Sequence, residues 1–173
     1  MVNSNVESSR VWRSVQRYQK GAGFTLIELL VAMAVITVGV TGALSLLIHS
    51  IASAQAVRNE VIGANLAQEA LEIVHSIRDQ SVADGRSWSD GLTVGQVFRV
   101  EAFQGGLLSR DDGATLNLDA DGFYTYGAGT KTLFQRTVAF DAYSDPARDR
   151  KVTITVTWPG RTLTATSVIT AWR

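Results

Sequence analysis

From Leu29 to Val57 the chain carries no Asp, Glu, Lys or Arg. About 20 predominantly apolar residues already span the hydrocarbon core of a bilayer, so this run predicts a membrane helix. It starts at Phe24 and extends to about Ile48, and about 25 residues at about 1.5 Å each reach roughly 37 Å. One carboxylate, Glu28, stands at its edge. An ionisable group there is costly, and by default it marks a function with a specific partner. Immediately upstream, Lys20-Gly21-Ala22-Gly23 is a short flexible segment that a protease can hold extended.

The balance of charge orients this helix. Lys plus Arg equals Asp plus Glu over the whole chain, 16 of each. The equality hides an asymmetry: Arg10, Arg13, Arg17 and Lys20 face only Glu7 before Gly23, which leaves the remainder acidic. Basic residues beside an apolar helix stay in the cytoplasm, so the carboxyl-terminal part is expected outside. There is no cysteine, so an exported domain must be held by its core rather than by disulfides. An A-x-A pattern ending at Ala54 offers a rival cut by an ordinary signal peptidase, before Gln55. The apolar run is long for a secretory signal, whose core usually has about 7–15 residues.

Beyond the span, Ile62, Leu66, Ala70, Ile73, Val74 and Ile77 recur at spacings of three and four, with Arg58, Asn65, Glu69, Glu72, Ser76 and Asp79 on another side. This predicts one unbroken helix to about Asp79, apolar all round and then amphipathic. Residues 81–90 turn polar and read as a loop. Strand-like runs follow at 97–103, 115–118, 123–126 and 132–143, separated by glycine and Asp-Gly turns. Arg148-Asp149-Arg150-Lys151 reads as part of a charged loop. Val152, Ile154, Val156 and Trp158 alternate with Thr153, Thr155 and Thr157, Pro159-Gly160 turns the chain, and residues 162–172 return. That is a β-hairpin. The expected fold is α+β: a long amino-terminal helix packed on a carboxyl-terminal antiparallel sheet.

Gly23 followed by Phe24-Thr25-Leu26-Ile27-Glu28-Leu29-Leu30, behind a basic leader and ahead of a long apolar helix, resembles the prepilin signal of type IV pilins and type II secretion pseudopilins. The resemblance implies that prepilin peptidase cuts after Gly23 and methylates the new amino terminus at Phe24. It implies that Glu28 registers subunits in a filament, paired with the amine of a neighbour's Phe24. Leu29, Leu30, Val31, Val35, Ile36 and Val38 would supply stem packing, and Gly39 and Gly42 read equally as points of close helix approach or as points where the helix loosens. The expected organisation is a leader at 1–23, a transmembrane stem at 24–48, an amphipathic continuation at 49–80 and a β domain at 81–173. Without cysteines and with its final hairpin, the chain looks most like minor subunits of the I or V type. Its implied partners are other pilin or pseudopilin subunits, prepilin peptidase, the assembly platform and, before assembly, the lipids of the cytoplasmic membrane.

Other chemistries have less support in the residues. Asn117, Asp119 and Asp121, followed by Gly122, resemble the first half of a calcium loop, but the twelfth position is Ala128 rather than Glu. A plain Asp-Gly turn accounts for the same letters. Nucleophilic catalysis lacks a cysteine and a G-x-S-x-G elbow, and His49 and His75 are isolated. Gly127-Ala128-Gly129 leads into a strand and so fails as a phosphate loop. Arg148, Arg150 and Lys151 cluster, but Asp145 and Asp149 among them argue against nucleic acid. No enzyme activity and no cofactor are expected. A reading from another class is an unprocessed, membrane-anchored binding module with an exported β domain.

Overall fold

The computed structural model describes residues 23–101 and 108–171. The chain divides into two compact units, Met1–His49 and Ser50–Arg173. One helix, α1, runs over Leu26–Ala83. It ends four residues beyond the expected Asp79, and Ser81, assigned above to a loop, is a buried helical residue. A Schellman motif stops it: Gly85 N donates to Val82 O at 3.0 Å and Arg86 N to Ser81 O at 2.8 Å. Gly85 sits at φ +71°, which a side chain would resist.

Eight strands follow: β1 (Val97–Val100), β2 (Leu108–Arg110), β3 (Asn117–Leu118), β4 (Tyr124–Thr125), β5 (Thr130–Lys131), β6 (Gln135–Ala142), β7 (Asp149–Trp158) and β8 (Arg161–Thr170). Five form an antiparallel sheet in the order β2-β1-β6-β7-β8, and three form a small sheet in the order β4-β3-β5. The helix packs on the larger sheet, and the α+β arrangement holds.

Several expected strands are corrected. The run at 97–103 ends as a strand at Val100, and Phe103 lies outside the described residues. β2 had no counterpart in the sequence reading. The run at 132–143 is broken: Thr132 continues the pairing of β5 with β3, donating from both its backbone N (3.0 Å) and its Oγ1 (2.6 Å) to Leu116 O, and β6 begins only at Gln135. Asp149, Arg150 and Lys151 are the first residues of β7 rather than loop, with Lys151 opposite Asp141 on β6. Opposite charges across a ladder favour that pairing. The β7–β8 hairpin forms as expected, closed by Pro159-Gly160 between the paired Trp158 and Arg161. Proline presets φ and Gly160 takes φ +77°, the combination a type II turn requires.

The core lies between one face of α1 and one face of the large sheet. Leu66, Ala67, Ala70, Ile73 and Val74 come from the helix, and Phe98, Val100, Val138, Phe140, Val152, Ile154, Val156 and Trp158 from the sheet. Of the predicted stripe, Ile62 and Ile77 are half-buried at its margin. Phe98–Phe140 and Phe134–Trp158 are tilted ring pairs at 5.8 and 5.7 Å. At about 25 cal/mol for each Å² of apolar surface removed from water, aromatic pairs of this kind are a large part of what holds a domain without disulfides.

Candidate functional site

The start of α1 is built by a local device. Thr25 is the N-cap: its Oγ1 accepts from Glu28 N at 3.2 Å, and its carbonyl accepts from Leu29 N at 3.2 Å. Thr25 and Glu28 therefore occupy the two ends of a T-x-x-E capping box, with Glu28 at the third helical position. The acidic side chain there is also favoured by the positive end of the helix dipole. Sequence reasoning assigned Glu28 a role but missed Thr25, although the spacing of the two was legible. Among the described residues the Glu28 carboxylate has no ion-pair partner.

Phe24 directly precedes this cap and is 86% exposed. A Cβ added at Gly23 would meet nothing within 4 Å, and its φ is not in the left-handed region. No described part of the fold requires glycine at position 23. The same is true of Gly39 and Gly42, where added methyl groups would also enter open space. This contrasts with Gly63, where an added Cβ would stand 2.7 Å from the Trp158 ring.

The stem residues Leu29, Leu30, Val31, Val35, Ile36 and Val38 are each more than half exposed. The most apolar 18-residue window of α1 has a mean hydropathy of 2.3 and none of it is buried. Two threonine hydroxyls in this stretch are satisfied within the helix: Thr37 Oγ1 donates to Met33 O at 2.7 Å and Thr41 Oγ1 to Thr37 O. A hydroxyl bonded this way does not face hydrocarbon with an unmet donor. The helix is therefore chemically suited to lipid, or to a sheath of like helices, along its whole circumference.

In the β domain, Asn117 and Asp119 are engaged in bonds of the chain itself. Asn117 Nδ2 donates to Gly127 O at 2.7 Å, and Asp119 Oδ1 accepts from Asp121 N and Phe123 N at 3.0 and 2.8 Å. With Gly122 at φ +88°, this is an aspartate-stabilised turn joining β3 to β4. Among the described residues no group of three or more His, Asp or Glu side chains is placed to hold a metal ion. His75 is half-buried on α1, and Glu72, His75, Ser76, Asp79 and Asp84 line an open groove on the helix surface.

Two further residues were missed. Arg136 is fully buried, at the same alternation parity as Phe134, Val138 and Phe140. Its Nη1 donates to Leu66 O and pairs with Glu69 Oε1, both at 3.2 Å, and its Nη2 donates to Val100 O at 2.8 Å. One guanidinium thereby joins α1, β1 and β6. Tyr126 donates from its hydroxyl to Arg136 O at 2.8 Å, and the Arg99 guanidinium lies over its ring at 4.8 Å. Burial pushes the Tyr126 phenol up to about 12, against the opposing pull of Arg136 and Arg99. Glu101 completes this corner by accepting from Tyr126 N and Thr125 Oγ1, which docks the small sheet against β1.

No curated protein and no solved structure matches this chain. The family model described as the prokaryotic N-terminal methylation motif matches residues 18–44, which take in the glycine, the cap, the carboxylate and most of the apolar run. The chain therefore carries the prepilin N-terminal methylation motif, the processing signal typical of type IV pilins and pseudopilins, on a long apolar helix joined to an antiparallel β domain.

Proposed function

We propose that this chain is a minor pilin or pseudopilin, a structural subunit of a type IV pilus or type II secretion filament. Prepilin peptidase cuts after Gly23 and methylates Phe24, and the subunit is held in the cytoplasmic membrane by its stem until it is assembled. The observation that carries this reading is the start of α1. A helix end capped by Thr25 carries Glu28, without an ion-pair partner among the described residues, at the head of a stretch that has no charge from Leu29 to Val57 and whose most apolar window is exposed.

The cut creates an amine one residue before the N-cap. Glu28 of one subunit and the Phe24 amine of the next then form a charge pair at a single axial offset. A lone charge near hydrocarbon is costly and a well-placed pair much less so, which rewards assembly in that register. The Thr25 cap fixes where the helix begins, and so where the amine stands relative to the carboxylate. The openness around Gly23 supports a requirement imposed from outside the fold, by the peptidase, rather than by packing. The basic leader favours a cytoplasmic amino terminus, with the β domain exported.

The test is amino-terminal and intact mass spectrometry of the protein from native membranes and from sheared filaments. Processing gives a chain that begins at N-methylated Phe24, and Gly23→Phe abolishes it. A chain that begins at Gln55, or that remains uncut in cells with active prepilin peptidase, refutes the reading.

A further inference from the structure

In the proposed cut, water adds to the Gly23 carbonyl carbon and the C–N bond to Phe24 breaks, leaving a carboxylate on Gly23 and a protonated amine on Phe24. A peptidase acts on backbone that it can hold extended, so the hydrogen bonding of the chain around that bond decides its access. α1 begins just beyond the bond, at Leu26. A helix that began slightly earlier would take the bond in.

Nothing in the sequence forbids the earlier start. Glycine ranks with threonine as an N-cap, and no proline stands between Gly23 and Leu30. The chain therefore holds two rival caps, Gly23 and Thr25. With Gly23 as the cap, Ile27 N would donate to Gly23 O and Glu28 N to Phe24 O. The carbonyl to be attacked would then be closed into the first turn of the helix, out of reach of the groups of an active site.

The structure takes the later start, and one side chain accounts for it. Glu28 N donates to Thr25 Oγ1 at 3.2 Å, which removes the donor that Phe24 O would need. The helical bond nearest the amino terminus runs from Leu29 N to Thr25 O at 3.2 Å. Gly23 and Phe24 stay outside the helix and exposed. Two observations unrelated to the cap point to an enzyme at this bond. The matched methylation motif, residues 18–44, spans it, and no described part of the fold explains the glycine before it.

We propose that Thr25 is a positioning residue for the processing step: by capping α1 it keeps the helix off Gly23 O and leaves the Gly23–Phe24 bond free to be held extended by the peptidase. This rests on the processing reading above. The Thr25 hydroxyl does not touch the reacting atoms; it acts through the N–H of Glu28.

The test follows the rate of cutting of the full chain in cells with active prepilin peptidase, by pulse labelling and the amino-terminal mass of the product. Thr25→Ala removes the acceptor and supplies the strongest helix former, which favours the Gly23 start. Thr25→Ser and Thr25→Asn supply a capping oxygen on side chains of different shape. Loss of a cap shifts such a balance about fivefold. Thr25→Ala is therefore expected to be cut about fivefold more slowly, and the serine and asparagine variants at least as fast as the parent. Parental cutting of Thr25→Ala overturns the proposal. So does slow cutting of Thr25→Asn beside normal cutting of Thr25→Ser, which would assign the effect to direct recognition of the hydroxyl. Hydrogen exchange of the uncut chains in detergent, with no peptidase present, gives a second measurement. The Ile27 amide is expected to exchange freely in the parent and to be protected in Thr25→Ala, and equal exchange in the two overturns the proposal. If the parent itself is not cut after Gly23, the processing reading fails first and this proposal falls with it.

Discussion

The Trp158 indole lies directly against the α-carbon of Gly63, so that a Cβ built there would be 2.7 Å from the ring. Both residues are buried, and Trp158 also packs against Phe134. Helix and hairpin approach this closely because one side chain is missing. Gly63→Val is expected to force them apart and to destabilise the domain by about 1–3 kcal/mol, the usual cost of overpacking. Gly63→Ala offsets part of its clash with about 1 kcal/mol of better helix propensity. Thermal unfolding of the two variants should rank valine well below alanine; equal melting temperatures would mean that the indole simply swings aside.

Arg136 joins three elements through one buried guanidinium. Arg136→Ala leaves a cavity and deprives Val100 O of its donor, at an expected cost of about 3 kcal/mol or more. Glu69→Gln keeps the shape but removes the countercharge, and should cost less because Glu69 is partly exposed. Denaturant unfolding of both variants gives the order. A neutral Arg136→Ala would show that the guanidinium is only tolerated.

Tyr126 predicts how the domain responds to alkali. Its phenol is raised from the ordinary value of 10.0 to about 12, chiefly by burial, so the folded state holds the proton more tightly than the unfolded one. The associated stability is complete below about pH 10 and is lost as pH climbs from 10 toward 12. Tyr126→Phe gives up the bond to Arg136 O, about 1 kcal/mol, and should flatten this alkaline decline. An unchanged slope between pH 10 and 12 would assign the decline to other groups.

Thr25 and Glu28 can be separated experimentally. Thr25→Val removes the cap and should fray the first turn at a cost of about 1 kcal/mol. Glu28→Ala leaves membrane insertion intact and abolishes incorporation into filaments. Subunits counted in membrane and sheared fractions distinguish the two effects. Filament levels of Glu28→Ala equal to the parent's would remove the registration role.

The helix and the last hairpin were legible because each has a repeating signal. Leu66, Ala70, Ile73 and Val74 keep helical spacing, and Val152 to Trp158 keep a period of two around a Pro-Gly turn. The short strands β3 and β4 fall within the runs expected at 115–118 and 123–126, and β5 follows Gly129 as expected, but their two-residue extents and their pairing into a separate sheet had no local signal. They are held by distant groups, such as Leu116 O accepting from Thr132, which no local pattern reveals. Arg136 was hidden for another reason: its alternation parity points inward, but an arginine in a strand reads as solvated until Glu69, Leu66 and Val100 are placed around it. At the start of α1, the prepilin resemblance drew attention to Gly23, Phe24 and Glu28, and the cap supplied by Thr25 went unread beside them.

Every buried apolar side chain described here lies at Leu66 or beyond. The stem supplies no side chain to that core. The two halves can therefore diverge at different rates. In the proposed filament the stem must stay compatible with the subunits stacked around it, while the β domain is free to drift as long as its own interior closes. A relative of this protein could keep residues 18–44 almost unchanged and share little else.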